Sequence, residues 1–201
     1  MVGVGSEDVD PYVLEGVMEY QPRWVNGREV GEGIRKASSR YDAIAAELEG
    51  HRGFRVLDVG AYTGYFSLRL AEDFDATVTA VDSYRGLRKA LTEAADPRVT
   101  GMYERLTPQA VAELGEYDVI LCLSVLHHVP WWEDLLAGLR ARARLLFIEV
   151  ASPNEVLPKA VAHCPEIPAA VAAVEGARVI ARTHGYRSRK MRPLYAVGGL
   201  D

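Results

Sequence analysis

Short apolar segments alternate with helical segments along the middle of this 201-residue chain, and this alternation constrains the fold more than any other feature. The apolar segments are predicted strands, hydrophobic almost throughout, and they cover 55–60, 76–82, 98–103, 117–123 and 143–150. Strands of this kind are typical of a parallel sheet that is buried on both faces. Helices are predicted between them, over 64–73, 84–95, 107–115 and 131–141. The regular exchange of strand and helix predicts a doubly wound α/β fold.

The part of the chain before the first of these strands has a different pattern. Residues 1–30 are predicted to be irregular, and a helix is predicted over 31–50 because apolar residues recur there at helical spacing. We therefore expect residues 1–50 to form an N-terminal helical extension, or lid. Residues 51–201 are expected to form the main domain.

The part of the chain after residue 150 is predicted to complete the sheet. Two short helical pieces, 155–163 and 168–175, come first. Two further strands are predicted over 177–182 and 192–197, and the short link between them contains Gly185, which can supply a turn. A C-terminal hairpin is therefore expected.

Composition and charge narrow the classes of partner. The formal net charge is −5, with 49% hydrophobic and 25% charged residues, and this argues against charge-driven binding to nucleic acid or to an anionic membrane. Two cysteines without a CxxC pair indicate neither a disulfide framework nor a zinc site, and no cluster of metal ligands stands out. The acidic N-terminus lacks a signal-peptide pattern, and no apolar run reaches about 20 residues. We expect a cytoplasmic protein with no membrane partner and no metal.

The segment RVLDVGAYTGYFSLRL, residues 55–70, predicts a strand, a tight turn and a helix. Gly60 and Gly64 allow the backbone conformations that let a chain approach a ligand closely. The start of the helix presents free N–H groups, and Asp58 at the end of the strand can meet a cationic group. Because ligands of doubly wound folds bind beyond the carboxyl ends of the strands, this turn is a candidate binding site. Asp82, at the end of the next strand, is placed to accept hydrogen bonds from ribose hydroxyls.

These residues resemble the first motif of the class I S-adenosylmethionine-dependent methyltransferase family, (D/E)xGxGxG. The string DVGAYTG matches the motif at Asp58, Gly60 and Gly64 and departs from it at Tyr62, where the middle glycine is usual. The resemblance implies a Rossmann-like, seven-stranded, mostly parallel sheet that ends in an antiparallel hairpin. It also implies S-adenosylmethionine as the cofactor, bound by Asp58, Gly60, Ala61, Tyr62, Thr63, Gly64, Asp82, Glu104 and Ser124.

The string LCLSVLHHVPWW, which follows the fourth predicted strand, is the candidate acceptor site. Since the cofactor of this family supplies the electrophile, the protein mainly aligns the acceptor and, where needed, removes its proton. Histidine titrates near neutral pH, so His127 and His128 are candidate general bases; the alternative is that they only shape the pocket. The LHHV string also resembles small-molecule methyltransferases of the ubiquinone-biosynthesis type. Further candidate substrate contacts are Tyr20, Trp24, Trp131 and Arg187.

Several functions stay open at this point. The leading hypothesis is an enzyme that methylates an oxygen or nitrogen atom of a small molecule. The basic segments 23–40 and 178–192 leave a methyltransferase of tRNA or rRNA as an alternative. A non-catalytic S-adenosylmethionine-binding subunit is a further alternative, because Tyr62 interrupts the glycine motif. A nicotinamide-linked enzyme is disfavoured because the chain has no GxGxxG turn. The sequence identifies neither the acceptor nor the oligomeric state.

Overall fold

A computed structural model describes residues 19–153, 155, 157, 160, 165–185 and 190–200. Within these residues the strands are β1 (Arg23–Val25), β2 (Arg28–Val30), β3 (Arg55–Val59), β4 (Thr77–Val81), β5 (Val99–Met102), β6 (Tyr117–Leu123), β7 (Ala143–Glu149), β8 (Ala177–His184) and β9 (Met191–Gly198). The helices are α1 (Ser38–Glu47), α2 (Tyr65–Phe74), α3 (Arg85–Ala94), α4 (Pro108–Glu113), α5 (Trp132–Arg142) and α6 (Glu166–Ala172). A short 3-10 turn covers Leu126–His128.

The central sheet has seven strands in the order β5-β4-β3-β6-β7-β9-β8. Strands β3 to β7 pair in parallel, whereas β9 is antiparallel to both β7 and β8. The predicted doubly wound sheet with an antiparallel C-terminal hairpin is confirmed. The chain leaves β3 towards β4 and β5 on one side and returns to β6 on the other, so the strand order reverses between β3 and β6. A crevice for ligands is expected at the carboxyl ends of these strands.

Helices cover both faces of the sheet, and this is why the central strands β6 and β7 are apolar along most of their length. Successive strand residues point to opposite faces. In β6, Val119 and Leu121 pack into the core cluster beneath α1 and α2, whereas Ile120 and Cys122 pack into the cluster beneath α4, α5 and α6. Cys122 is a buried free thiol, as expected, and burial raises its pKa to about 12.

The N-terminal part of the described chain corrects two sequence predictions. The segment predicted to be irregular contains the β1–β2 hairpin, in which Trp24 pairs with Glu29. Its turn is Asn26–Gly27, with φ of 48° and 73°. Asn-Gly is the strongest short-range hairpin signal because both residues tolerate positive φ, so the sequence held a sign of this turn that the strand analysis missed.

The helix predicted over 31–50 begins seven residues later than expected, at Ser38 in α1. Residues 33–35 instead run beside residues 19 and 20, and the backbone N–H groups of Ile34 and Arg35 donate to the carbonyl oxygens of Glu19 and Tyr20. Most of the helix predicted over 155–163 lies outside the described residues. The helix predicted over 168–175 is α6, shifted two residues towards the N-terminus. Among the residues that the structure describes, none of the helices has the length and apolar character that a bilayer span needs.

Candidate active site

A cavity of about 610 Å³ lies at the carboxyl ends of β3, β4 and β6, at the point where the strand order reverses. Its volume lies within the range of ordinary ligand pockets, roughly 300–1,000 Å³. One wall comes from the turn after β3 and the loop after β4, and the opposite wall comes from the loop after β6. The lining residues are Tyr20, Val59, Gly60, Tyr62, Val81, Asp82, Ser83, Tyr84, Glu104, Arg105, Leu106, Thr107, Leu123, Ser124, Val125, His128, Val129, Pro130, Trp131 and Leu135.

The turn between β3 and α2 depends on its two glycines. Gly60 has a φ of 76°, and a Cβ atom there would lie 2.5 Å from the Cγ2 atom of Val125. Gly64, with a φ of 73°, is the N-cap of α2, and a Cβ atom there would lie 3.2 Å from the Cδ2 atom of Leu91. Both φ values favour glycine, and a side chain at position 60 would also collide with Val125. Ala61 and Thr63 are buried within the same turn.

Tyr62, the residue that replaces the middle glycine of the motif, also takes up a left-handed conformation, with a φ of 56°. Such a conformation costs a non-glycine residue roughly 1–2 kcal/mol. Three contacts hold it in place. The ring stacks on Tyr84, with the centroids 4.7 Å apart and the planes at 7°, and it meets Tyr20 edge-on at 5.5 Å. The backbone N–H donates to Asp82.

Asp82 joins the two loops of this wall. Its Oδ2 atom accepts from the backbone N–H of Tyr62, and its Oδ1 atom accepts from the backbone N–H of Tyr84, each at 2.8 Å. Each carboxylate oxygen can accept a second hydrogen bond, and Asp82 lines the cavity. The carboxylate can thus hold the protein backbone and still bind ligand hydroxyls.

Asp58 lies behind this wall and does not line the cavity. It is 2% exposed, and its Oδ2 atom accepts from the Oγ of Ser67 at 2.6 Å. Burial raises the pKa of Asp58 to about 6, although the Ser67 hydrogen bond opposes that rise. Its contact to a cationic group of a ligand, expected from the sequence, stays a prediction.

Glu104 and Ser124, which the resemblance assigned to the cofactor, both line the cavity. Glu104 is exposed, after β5. Ser124 follows β6 and has a φ of 64°, and its hydroxyl is buried. The Ser124 hydroxyl donates to Glu149 and accepts from the Nη1 atom of Arg192 at 2.9 Å. Ser124 therefore joins the cavity to charged groups behind it.

The structure separates the two adjacent histidines. His128 is exposed and lines the cavity, whereas His127 is 3% exposed and does not. Their rings lie 4.2 Å apart. The 3-10 turn of Leu126–His128 produces this difference because consecutive residues of such a turn point in different directions. His128 is thus the histidine that a bound substrate can reach.

Two of the four candidate substrate residues line the cavity, namely Tyr20 and Trp131. Trp24 lies elsewhere: its Nε1 donates to the Oε2 of Glu72 at 2.7 Å, and its ring meets Tyr65 on α2. Arg187 lies outside the described residues.

A buried charged cluster, which the sequence analysis did not find, lies behind Ser124. Its members are Arg35, Arg40, Glu149, Glu155 and Arg192, each no more than 3% exposed. Arg35 and Arg40 both contact Glu149, and Arg192 makes a two-pronged pair with Glu155 at 2.9 Å for both bonds. Burial alone would raise the pKa of Glu149, but the two guanidinium groups lower it to about 2, so Glu149 is ionised at neutral pH.

The same cluster contains three arginines of the two basic segments. Arg35 and Arg40 of segment 23–40, and Arg192 of segment 178–192, are buried instead of facing solvent. Arg178 pairs with Glu47 across the surface. These four arginines are paired with carboxylates of the chain, and they are therefore not free to contact the phosphates of an RNA.

Comparison with known proteins identifies the family. The model of a methyltransferase domain matches residues 28–179, which is well over half of the chain. The chain belongs to the class I S-adenosylmethionine-dependent methyltransferases. Residues of this chain fit the cofactor: the cavity has a suitable volume, Asp82 has free acceptor capacity, and the Oγ1 of Thr63, 6% exposed, has no hydrogen-bond partner among the described residues. Within the described residues, no group of three or more His, Cys, Asp or Glu side chains is placed to hold a metal ion.

Relatives of this methyltransferase include the ubiquinone biosynthesis O-methyltransferase of Vibrio parahaemolyticus, 28% identical over 70% of this chain and 60% of that protein. The O-antigen chain terminator bifunctional methyltransferase/kinase WbdD of Escherichia coli is 27% identical over 96% of this chain and 29% of WbdD. The chain thus spans less than two thirds of the length of either relative.

Solved structures show the same fold. A structure of the bifunctional kinase-methyltransferase WbdD superposes with a TM-score of 0.74 at 24% identity, over 90% of this chain and 44% of that one. Magnesium protoporphyrin IX methyltransferase from Synechocystis PCC 6803, solved with bound S-adenosylmethionine, superposes with a TM-score of 0.58 at 21% identity, over 79% of this chain and 77% of that one.

Proposed function

We propose that this chain binds S-adenosylmethionine in the cavity and transfers its methyl group to an oxygen or nitrogen atom of a small molecule. The observation that carries the proposal is the cavity itself, which lies between the glycine turn with Asp82 and the loop with His128 and Trp131. Cofactor and acceptor can therefore meet in one enclosed space. The relative from Vibrio parahaemolyticus, a ubiquinone biosynthesis O-methyltransferase, supports a small acceptor that is methylated on oxygen.

The cofactor half of the site is assigned to the glycine wall. Gly60 lets a ligand approach the backbone, Asp82 would accept from the ribose hydroxyls, and Glu104 and Ser124 would border the base, as the family resemblance implies. Tyr62 would bring its ring, instead of bare backbone, to the place where the middle glycine is usual. The remaining residues of the motif would shape the turn without lining the cavity, namely Asp58, Ala61, Thr63 and Gly64.

The acceptor half of the site is assigned to the loop after β6. The cofactor supplies a methyl group that is already electrophilic, so the protein has only to place the acceptor atom and take up its proton. We assign the proton-accepting role to His128, because it lines the cavity and His127 does not. Trp131 and Tyr20 would border the acceptor.

The N-terminal segment is proposed to close this site. Tyr20 lines the cavity, and the chain around it is held by Arg35 and Arg40, whose side chains enter the buried charged cluster. The division into a lid, residues 1–50, and a cofactor-binding catalytic domain, residues 51–201, stays a prediction on these grounds, as does a cytoplasmic location.

Cofactor binding is tested by calorimetric titration of S-adenosylhomocysteine into the wild type and two matched variants. Gly60→Ala places a methyl group 2.5 Å from Val125 inside the cavity wall. Gly53→Ala is the control, because Gly53 also has a positive φ, 69°, but has open space around it at the other end of β3. We expect Gly60→Ala to lower affinity at least tenfold and Gly53→Ala to leave it unchanged. Equal affinities in the two variants would place the cofactor elsewhere.

Catalysis is tested by methyl transfer from radiolabelled S-adenosylmethionine into a fractionated cell extract. We expect the label in the low-mass fraction. Label in RNA would restore the nucleic-acid alternative. Tight cofactor binding without transfer to any fraction would favour the non-catalytic subunit.

A further inference from the structure

Among the residues that the structure describes, the buried charged cluster has more guanidinium groups than carboxylates. Among the described residues it contains three guanidinium groups, those of Arg35, Arg40 and Arg192, against the two carboxylates of Glu149 and Glu155. All five groups are shielded from water. An unbalanced charge in such a place is costly, because burial removes the solvent that would otherwise stabilise it. Asp58, a third buried carboxylate, lies close enough to Arg40 for that guanidinium to lower its pKa, but no ion pair joins Asp58 to the described members of the cluster. Within the cluster itself, one more negative charge would balance the three guanidinium groups.

One nitrogen atom of the Arg35 guanidinium makes no hydrogen bond to the described residues. Its Nη2 atom donates to Glu149 and lies 3.4 Å from the Oγ1 atom of Thr183. Its Nη1 atom is buried and has no hydrogen-bond partner in the part of the chain that the structure describes. A guanidinium group that is 99% buried normally satisfies all of its N–H groups. The Nη1 atom of Arg35 thus has hydrogen-bonding capacity that the described residues do not use.

The cluster adjoins the cavity. Ser124 lines the cavity, and its hydroxyl contacts both Glu149 and Arg192 of the cluster. Tyr20 also lines the cavity, and it lies close enough to Arg40 and Arg192 to influence the pKa of each. A ligand in the cavity is therefore separated from the guanidinium groups by these two side chains.

We propose that this cluster binds an anionic group of the methyl acceptor, a carboxylate or a phosphate, which reaches it from the cavity past Tyr20 and Ser124. The inference rests on the proposed function and specifies its substrate class. Planar guanidinium groups match both anions well, because they present several N–H groups in a fixed fork. The acceptor would be held by its charge at one end while the atom to be methylated lies beside His128.

The probes for this proposal are acetate and inorganic phosphate, titrated by calorimetry into protein saturated with S-adenosylhomocysteine, with ionic strength held constant by chloride. We expect saturable binding in the millimolar range. Arg35→Gln should weaken it at least tenfold. Arg178→Gln is the matched control, since it removes a paired arginine from the surface, and it should leave anion binding unchanged.

Glu155→Gln tests the same reasoning in the opposite direction and does not depend on whether Arg35→Gln folds. This variant removes one negative charge from the cluster, so anion binding should become at least fivefold tighter. Unchanged or weaker binding in Glu155→Gln would overturn the charge argument. Absence of saturable binding of either anion to the wild type would overturn the proposal as well.

The amino-acid carboxylate of the cofactor is the other possible source of a negative charge, and two nucleosides distinguish it. S-adenosylhomocysteine carries this carboxylate, whereas 5′-methylthioadenosine lacks it. We expect Arg35→Gln to bind both with wild-type affinity. A tenfold loss confined to S-adenosylhomocysteine would assign the cluster to the cofactor and refute an acceptor site. Failure of the wild type to bind S-adenosylhomocysteine would instead refute the proposed function.

Discussion

Asp82→Asn is the substitution that tests most directly how the cavity wall is held together. The wild-type carboxylate accepts two backbone N–H groups at 2.8 Å, one from Tyr62 and one from Tyr84. The amide of asparagine has a single acceptor oxygen, so one of the two hydrogen bonds is lost and the other loses its charge. The variant keeps the shape of the side chain, and we therefore expect it to fold.

The magnitude follows from the conformation of Tyr62. Its left-handed backbone, with a φ of 56°, costs roughly 1–2 kcal/mol, and the hydrogen bond to Asp82 helps to offset this cost. Without that bond the turn relaxes in the free protein, and a ligand must restore it on binding. We expect cofactor affinity to fall by about 1–2 kcal/mol, which is about 5- to 30-fold.

The assay is calorimetric titration of S-adenosylhomocysteine, together with urea unfolding of each protein. Asp96→Asn is the matched control. Asp96 accepts a hydrogen bond from the backbone N–H of Arg98, two residues later in the chain, just as Asp82 accepts from Tyr84. Asp96 lies before β5, however, at the amino ends of the strands and not at the carboxyl ends where the cavity lies. Asp96→Asn should lose stability and keep its affinity. A folded Asp82→Asn variant whose affinity stays within twofold of the wild type would refute the reasoning.

Three further predictions concern the same site. His128→Gln should slow methyl transfer at least tenfold, whereas His127→Gln should mainly lower thermal stability because His127 is buried; equal rates in the two variants would exclude His128 as the base. Tyr62→Gly relieves the left-handed strain but removes the stack on Tyr84, worth about 0.5–1.5 kcal/mol, so the free energy of unfolding should change by less than about 1 kcal/mol while cofactor affinity falls; unchanged affinity would show that the ring does not meet the ligand. Burial raises the pKa of Asp58 from 3.8 to about 6, so its contribution to stability is present below about pH 4 and is lost as the pH rises through 6. The free energy of unfolding of Asp58→Asn, measured by urea unfolding, should therefore rise relative to that of the wild type by up to about 3 kcal/mol between pH 4 and pH 7. A difference between the two proteins that does not change with pH would contradict the raised pKa of Asp58.

The sequence alone was sufficient to predict the sheet, and the turn that it singled out lies in the wall of the cavity. The strand over 117–123 is apolar from Val119 to Leu123 because both faces of the sheet are covered, and a pattern of this kind can be read from the local sequence. Gly60 and Gly64 have positive φ values that favour glycine, so the residue type by itself indicates this backbone conformation. The Asn26–Gly27 turn is local in the same way, and the Asn-Gly pair could have predicted the β1–β2 hairpin.

The tertiary structure decided which side chains share the cavity and which do not. Arg35 and Glu149 are 114 positions apart, and nothing in the neighbourhood of either indicates that the other neutralises it. Three arginines of the basic segments, Arg35, Arg40 and Arg192, are buried because the fold supplies carboxylates from distant segments. His127 and His128 are adjacent residues of the same type, so the sequence cannot distinguish their roles. The 3-10 turn places His128 in the cavity wall and His127 in the interior. The glycine turn could be located from local backbone requirements, whereas long-range charge pairing and side-chain direction depend on contacts that exist only after the chain has folded.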